Sequence, residues 1–304
     1  MGRLRETVPM RLTVLAPSTR SAPFVADLLA RAAGPAEVVV ATGEDLTALD
    51  LRQWPVADAV LDALAGRPTP RGREVQDQLG RLGVPGWPVL HDEDLATHLA
   101  RSAWLARGAS PSEVLGRLAA ARGLPAGVTL RPVTDLPVET HVVLDLPDGE
   151  APQSAVHVRQ WREQLEGAPL PSRVVVAGLD RAVAAPGVLD AIRSAEVVVV
   201  APADPVLETG ALLGVAGVSD ALRGTDASVV VVDPMTGEGG APGLAVAGLP
   251  ESGPGAATVF RDMADVWVTG PAAGPDERYT ASLRVVRSPG TTPAELAAAV
   301  LGAV

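Results

Sequence analysis

The chain has 304 residues, 47% of them hydrophobic but only 3% aromatic, so its core is built from Val, Leu and Ala. A formal net charge of −11 argues against a nucleic-acid backbone or an anionic membrane as partner. Cysteine and lysine do not occur, and all 25 basic residues are arginine; disulfides, Cys-ligated zinc, the phosphate-loop lysine and Schiff-base chemistry are excluded.

Met1-Gly2-Arg3-Leu4-Arg5-Glu6 lacks the apolar stretch of a signal peptide, and the longest apolar runs are too short to span a bilayer. A cytoplasmic protein with no membrane partner is expected. Residues 12–15 and 38–40 are continuous apolar runs, as in strands buried on both faces of a parallel sheet, with a helical pattern over 22–33 between them. From 56 to 122 the chain reads as helical without a convincing strand. Ser110 as cap, Pro111 at the first position and Glu113 at the third open one helix, and Gly123 stops it.

Residues 128–131, 138–146 and 155–158 read as strands, the last two joined through Pro147-Asp148-Gly149. Apolar runs at 174–176, 197–200, 229–232 and 266–268 follow, interleaved with helical patterns over 187–194 and 219–223. Residues 237–255 read as loop, including Gly253-Pro254-Gly255, which lacks the last glycine of a dinucleotide loop. Thr292-Pro293-Ala294-Glu295 caps a last helix over 293–301. The expected fold is α/β: a Rossmann-like, doubly wound, mainly parallel sheet with a helical and β-hairpin insertion. The core is expected over 1–55 and 170–304, the insertion over 56–169.

Four segments can carry chemistry. In His91-Asp92-Glu93-Asp94-Leu95-Ala96-Thr97-His98, a helix opening near Asp92 puts Asp94 and His98 on one face with Thr97 beside them. Ordinary capping explains acids at a helix start equally well. Thr134-Asp135-Leu136-Pro137 reads as a turn, followed by Glu139 and His141 on one side of a strand. Thr42-Gly43-Glu44-Asp45 and Ala201-Pro202-Ala203-Asp204-Pro205 follow strands, the place where open α/β sheets bind ligands. All four are expected on one edge. Val158-Arg159-Gln160-Trp161-Arg162 reads foremost as a helix start with a half-buried Trp.

Taken in order, these pieces resemble the 2-phospho-L-lactate transferase family of coenzyme F-420 biosynthesis. The resemblance rests on residues 92–98 followed by Ala109-Ser110-Pro111-Ser112-Glu113-Val114, then Val138-Glu139-Thr140-His141, Ala185-Pro186-Gly187-Val188-Leu189, and 201–205 through Gly210-Ala211-Leu212-Leu213. It implies a Rossmann-like core that binds a lactyl- or enolpyruvyl-diphospho-guanosine donor. A hydroxyl of a deazaflavin acceptor attacks the phosphorus, GMP leaves and magnesium assists. Asp45 and Asp58 match family acidic positions, as metal ligands or orienters of the hydroxyl. Asp92, Asp94, Thr97 and His98 are then expected on the acceptor side with Thr134 and Asp135 nearby, and Pro202 and Asp204 at the nucleotide. Homodimers occur in the family, so a homodimer stays open.

The chain departs from the family where phosphate would sit. The family's Gly-Gly-Thr-Gly-Gly loop is replaced by Ala16-Pro17-Ser18-Thr19-Arg20-Ser21-Ala22-Pro23, leaving Ser18, Thr19, Arg20 and Ser21 to hold an anion through side chains. Pro-Asp-Leu-Asp-Thr becomes Pro55-Val56-Ala57-Asp58-Ala59, Pro-Ser-Asn-Pro becomes Pro202-Ala203-Asp204-Pro205, and Asp233-Pro234-Met235 adds a further acid. Two readings follow: a divergent transferase, or a non-catalytic relative that keeps the fold and an acceptor pocket.

Overall fold

The computed structural model describes residues 10–68, 72–84, 86–145, 153–236, 240–272 and 282–304. Its strands are β1 (Leu12–Ala16), β2 (Ala36–Val40), β3 (Leu46–Ala48), β4 (Leu51–Gln53), β5 (Val128–Pro132), β6 (Glu139–Asp145), β7 (Gln153–His157), β8 (Arg173–Ala177), β9 (Val197–Val200), β10 (Ser228–Val232), β11 (Val266–Thr269) and β12 (Arg284–Arg287). Seven of them form a parallel sheet in the order β12-β11-β10-β9-β1-β2-β5. This is the expected doubly wound α/β fold.

Alternation within the valine-rich strands explains why they read as unbroken apolar runs. Leu15, Val39, Val198, Val231 and Trp267 point to one face, against helices Val188–Ser194, Val218–Gly224 and Gly253–Phe260. Val14, Val38, Val199, Val230 and Val268 point to the other, against Ala22–Arg31, Pro55–Leu64, Pro111–Arg122 and Pro293–Gly302. Both faces are covered, so apolar residues dominate each, with Thr13, Glu37 and Thr129 as a polar row across β1, β2 and β5. From β1 the chain winds outward through β2 to β5, then returns to β9 on the other side and winds out to β12. The crossover between β1 and β9 is the switch point, and ligands of such sheets bind outside the carboxyl ends there.

Three expectations need correction. The run 174–176 is not a strand of the large sheet: β8 is an edge of a small antiparallel sheet, β7-β6-β8, with Val175 41% exposed. A short valine run fits an edge strand as well as a core strand. Conversely β5, inside the expected insertion, pairs with β2 in the large sheet. Residues 253–260 are a helix rather than loop: the Ser252 hydroxyl accepts from Gly255 N–H at 3.2 Å, and a Cβ at Gly255 would strike the Pro250 carbonyl. The turn at Pro147-Asp148-Gly149 lies outside the described residues. The helix Pro111–Arg122 has the full capping box and ends at Gly123 with φ 67°. Among the described residues no helix is long and apolar enough to cross a membrane.

Candidate functional site

The loop after β2 turns sharply, with Asp45 N–H donating to the Thr42 carbonyl at 3.0 Å. Gly43 is required there, since a Cβ would lie 2.6 Å from Ala211 Cβ and 2.7 Å from Thr140 Oγ1. The Thr140 N–H donates to the Gly43 carbonyl at 2.7 Å, which ties the small sheet to the rim. The turn delivers Asp45 to the wall of a cavity of about 250 Å³ outside the ends of β2 and β5. Thr42, Arg52, Trp54, Thr134 and Asp135 share that wall. Burial holds the Asp45 carboxyl well above the usual carboxylate range, against the opposing pull of Arg52 and Arg101.

Behind Trp54 lies Arg101, fully buried in the helix Asp92–Ala106. Its guanidinium pairs with Asp58, donates to the Arg52 carbonyl at 3.1 Å and stacks 4.5 Å from the centre of the Trp54 ring. His98, one turn earlier, puts Nδ1 3.4 Å from the same guanidinium. Burial lowers His98 to about 4, and lifts Asp94 to about 6 with help from Asp58 and Asp62. Asp45, Asp94 and His98 thus share one electrostatic neighbour, Asp58, which is itself paired with Arg101.

Other expected site residues serve the fold. Asp92 accepts from Glu74 and Val75 N–H at 3.0 and 2.9 Å, capping the helix Glu74–Arg81. Thr97 accepts from Arg122 at 3.0 Å. Asp135, although on the cavity wall, accepts from the Ser112 N–H and hydroxyl at the start of Pro111–Arg122. The Thr134 hydroxyl accepts from Leu136 N–H at 3.2 Å.

Across the switch point the arrangement differs. Pro202 and Arg20 line a cavity of about 510 Å³ outside β1, β9, β10 and β12. Asp204 is 1% exposed, and its oxygens accept from the N–H groups of Val206, Leu207 and Gly243 at 2.7–2.9 Å. Asp233 accepts from Thr269 Oγ1 and Met235 N–H. Glu208 accepts from Ser18, Arg20, Arg162 and Asp204 N–H. Pro202 contributes its carbonyl to Ser21 Oγ at 3.1 Å. The expected single pocket is therefore two: Asp45, Thr134 and Asp135 share one wall, and Pro202 and Asp204 stand apart from it on the far side of β1.

The profile of the 2-phospho-L-lactate transferase CofD family matches residues 23–281. The chain belongs to that family. Phosphoenolpyruvate transferase of Streptomyces griseus is 36% identical over 247 residues, covering 78% of this chain and 76% of the relative. That of Thermobifida fusca is 35% identical over 251 residues, covering 77% and 75%. A solved structure of a UPF0052 family protein from Bacillus halodurans superposes with TM-score 0.57 at 14% identity, covering 89% of this chain and 83% of that one, which shows a shared fold.

For this CofD-family chain, sequence reading missed Arg101 and Glu208. Arg101 was detectable: Asp94, His98 and Arg101 fall at i, i+4 and i+7 of one helix. Glu208 meets Ser18, Arg20 and Arg162 only through the folded sheet, and no local pattern marks it.

Proposed function

We infer that the chain catalyses CofD-type transfer, moving a phosphoenolpyruvyl or phospholactyl group from a guanosine diphospho donor to a deazaflavin hydroxyl in F-420 biosynthesis. Family membership and relatives called phosphoenolpyruvate transferases support the class of reaction. The observation that carries the assignment of a site is Asp45, a buried carboxyl on a cavity wall with its proton affinity raised. Such a group suits a base that takes the hydroxyl proton as oxygen attacks phosphorus and the bond to GMP breaks. Arg52 sits on the same wall, where its charge faces the anion that develops.

Magnesium fits this donor set. Asp45 and Asp58 supply hard oxygens near enough for Asp58 to act on Asp45; a cation held there would favour ionised Asp45, the form that accepts the proton of the attacking hydroxyl. They would hold the ion, with Arg101 sharing Asp58, and the ion when bound would neutralise phosphate charge. Among the described residues no group of three or more acidic, His or Cys ligands occurs, so water and substrate oxygens would complete its coordination.

Glu208, seated among Ser18, Arg20 and Arg162 on the side expected to take the donor, favours a second reading, a relative that binds a deazaflavin in the Asp45 cavity without turnover. The test incubates the full chain with the enolpyruvyl donor, deazaflavin and magnesium, and follows GMP release. The transferase reading expects GMP release that falls on the order of a hundredfold in D45N. Saturable quenching of deazaflavin fluorescence without GMP release would establish the second reading, and failure of both would overturn the site.

A further inference from the structure

The side chain of Glu208 is wholly buried where the rim passes from β1 to β9. One oxygen accepts from the Ser18 hydroxyl at 2.9 Å, and Arg20 spans both oxygens at 3.1 and 2.9 Å. Arg162 pairs with it at 2.9 Å, and the backbone N–H of Asp204 donates at 2.8 Å. A hydroxyl, a backbone N–H and two guanidinium groups converging on one anion form a donor set suited to phosphate. Here the anion belongs to the chain. Arg162 also holds Glu44 at 3.0 Å, so the two cations are balanced by two buried carboxylates.

The geometry points to Glu208 as a tethered occupant of an anion cradle, the residue that keeps phosphate and pyrophosphate groups out of the switch point. Space for them exists on either side. Arg20 borders both the 510 Å³ cavity and a second one of about 270 Å³, which Arg162, Trp161 and Asp204 also line. A tethered carboxylate competes at high effective concentration, so a free anion does not displace it. Remove the carboxylate, and two poorly hydrated guanidinium groups lose a counter-ion they need. An incoming phosphate then gains what Glu208 gave up. This inference names the determinant behind the second reading and rests on its premise of a filled donor side, but it involves neither deazaflavin nor transfer.

The test titrates inorganic pyrophosphate into the full chain, its E208A and E208Q variants, and the E208A/R162A double variant, by calorimetry and thermal melting at constant ionic strength. The parent should give no saturable heat. E208A should bind at least about tenfold more tightly than the parent, with a melting temperature that climbs with pyrophosphate. E208Q should move the same way by less, and R162A should abolish the gain. Equal binding by the parent, or a folded E208A that gains nothing, would overturn the inference. Should the Glu208 variants fold only in pyrophosphate, that rescue supports it; failure to fold even then overturns it. Parent turnover in the transfer assay would show that a diphospho donor enters past Glu208 and would overturn the inference together with the second reading, whereas pyrophosphate binding by a parent without turnover would overturn the inference alone.

Discussion

The two sides of the carboxyl rim bury the same chemical group among different neighbours. Asp45, beyond β2, faces a cavity, and burial with only distant arginines raises its proton affinity. Asp204, beyond β9, is equally buried, yet three backbone N–H groups reach its oxygens and pull back against that burial. Burial raises both carboxyls, and what separates them is the supply of N–H donors, not depth. Asp45 is therefore left facing open space, while the oxygens of Asp204 are taken up by the fold's own N–H groups.

The largest test of this contrast is Arg101→Ala. It strands Asp58 beside a void under Trp54, and should destabilise the chain by about 3–5 kcal/mol in urea unfolding. A loss under about 1 kcal/mol would mean the Asp45 side of the rim does not depend on that pair. Asp204→Ala should follow, costing about 2 kcal/mol or more because buried N–H groups lose their acceptor. Were it neutral, the three N–H groups would not depend on Asp204 as their acceptor.

Asp135→Ala should cost about 1 kcal/mol as a lost helix cap, without altering deazaflavin binding. A binding defect at unchanged stability would return Asp135 to the site. The smallest effect is in pH dependence. Between about pH 4 and 6 folded Asp94 keeps a proton that the unfolded carboxyl releases, so it favours folding as pH falls. Folded His98 lacks a proton that the unfolded imidazole takes up, so it opposes folding as pH falls. The two offset one another. D94N should therefore lose more stability than the parent on acidification from about pH 6.5 to about pH 4.5, measured by chemical denaturation. Parallel slopes would mean that burial and Asp58 do not hold Asp94 above its usual range.

Much of the fold was legible because its signals are local. Valine runs, the Ser110–Glu113 box and Gly123 each act over a few residues. The run at 174–176 misled because a sheet's identity depends on its pairing partner, which lies elsewhere in the chain. In the site, Asp45, Asp58, Asp94 and His98 were legible from family position and helical spacing. Their roles were not, since those depend on Arg101 and on depth. Ser18 and Arg20 were read as holders of an anion, and they do hold one, but only the folded rim reveals that it is Glu208.

The placement of β1 has a consequence for how the molecule assembles. Leu12 pairs with Ala36 on one side and with Val197 on the other. The first partnership closes a short loop; the second waits until the chain has traversed both β5 and the small sheet. Folding thus has a fast half and a slow half. On a ribosome, β1, β2 and β5 stand with one flank of β1 unpaired until β9 emerges, and that bare edge is where nascent chains would mispair with one another.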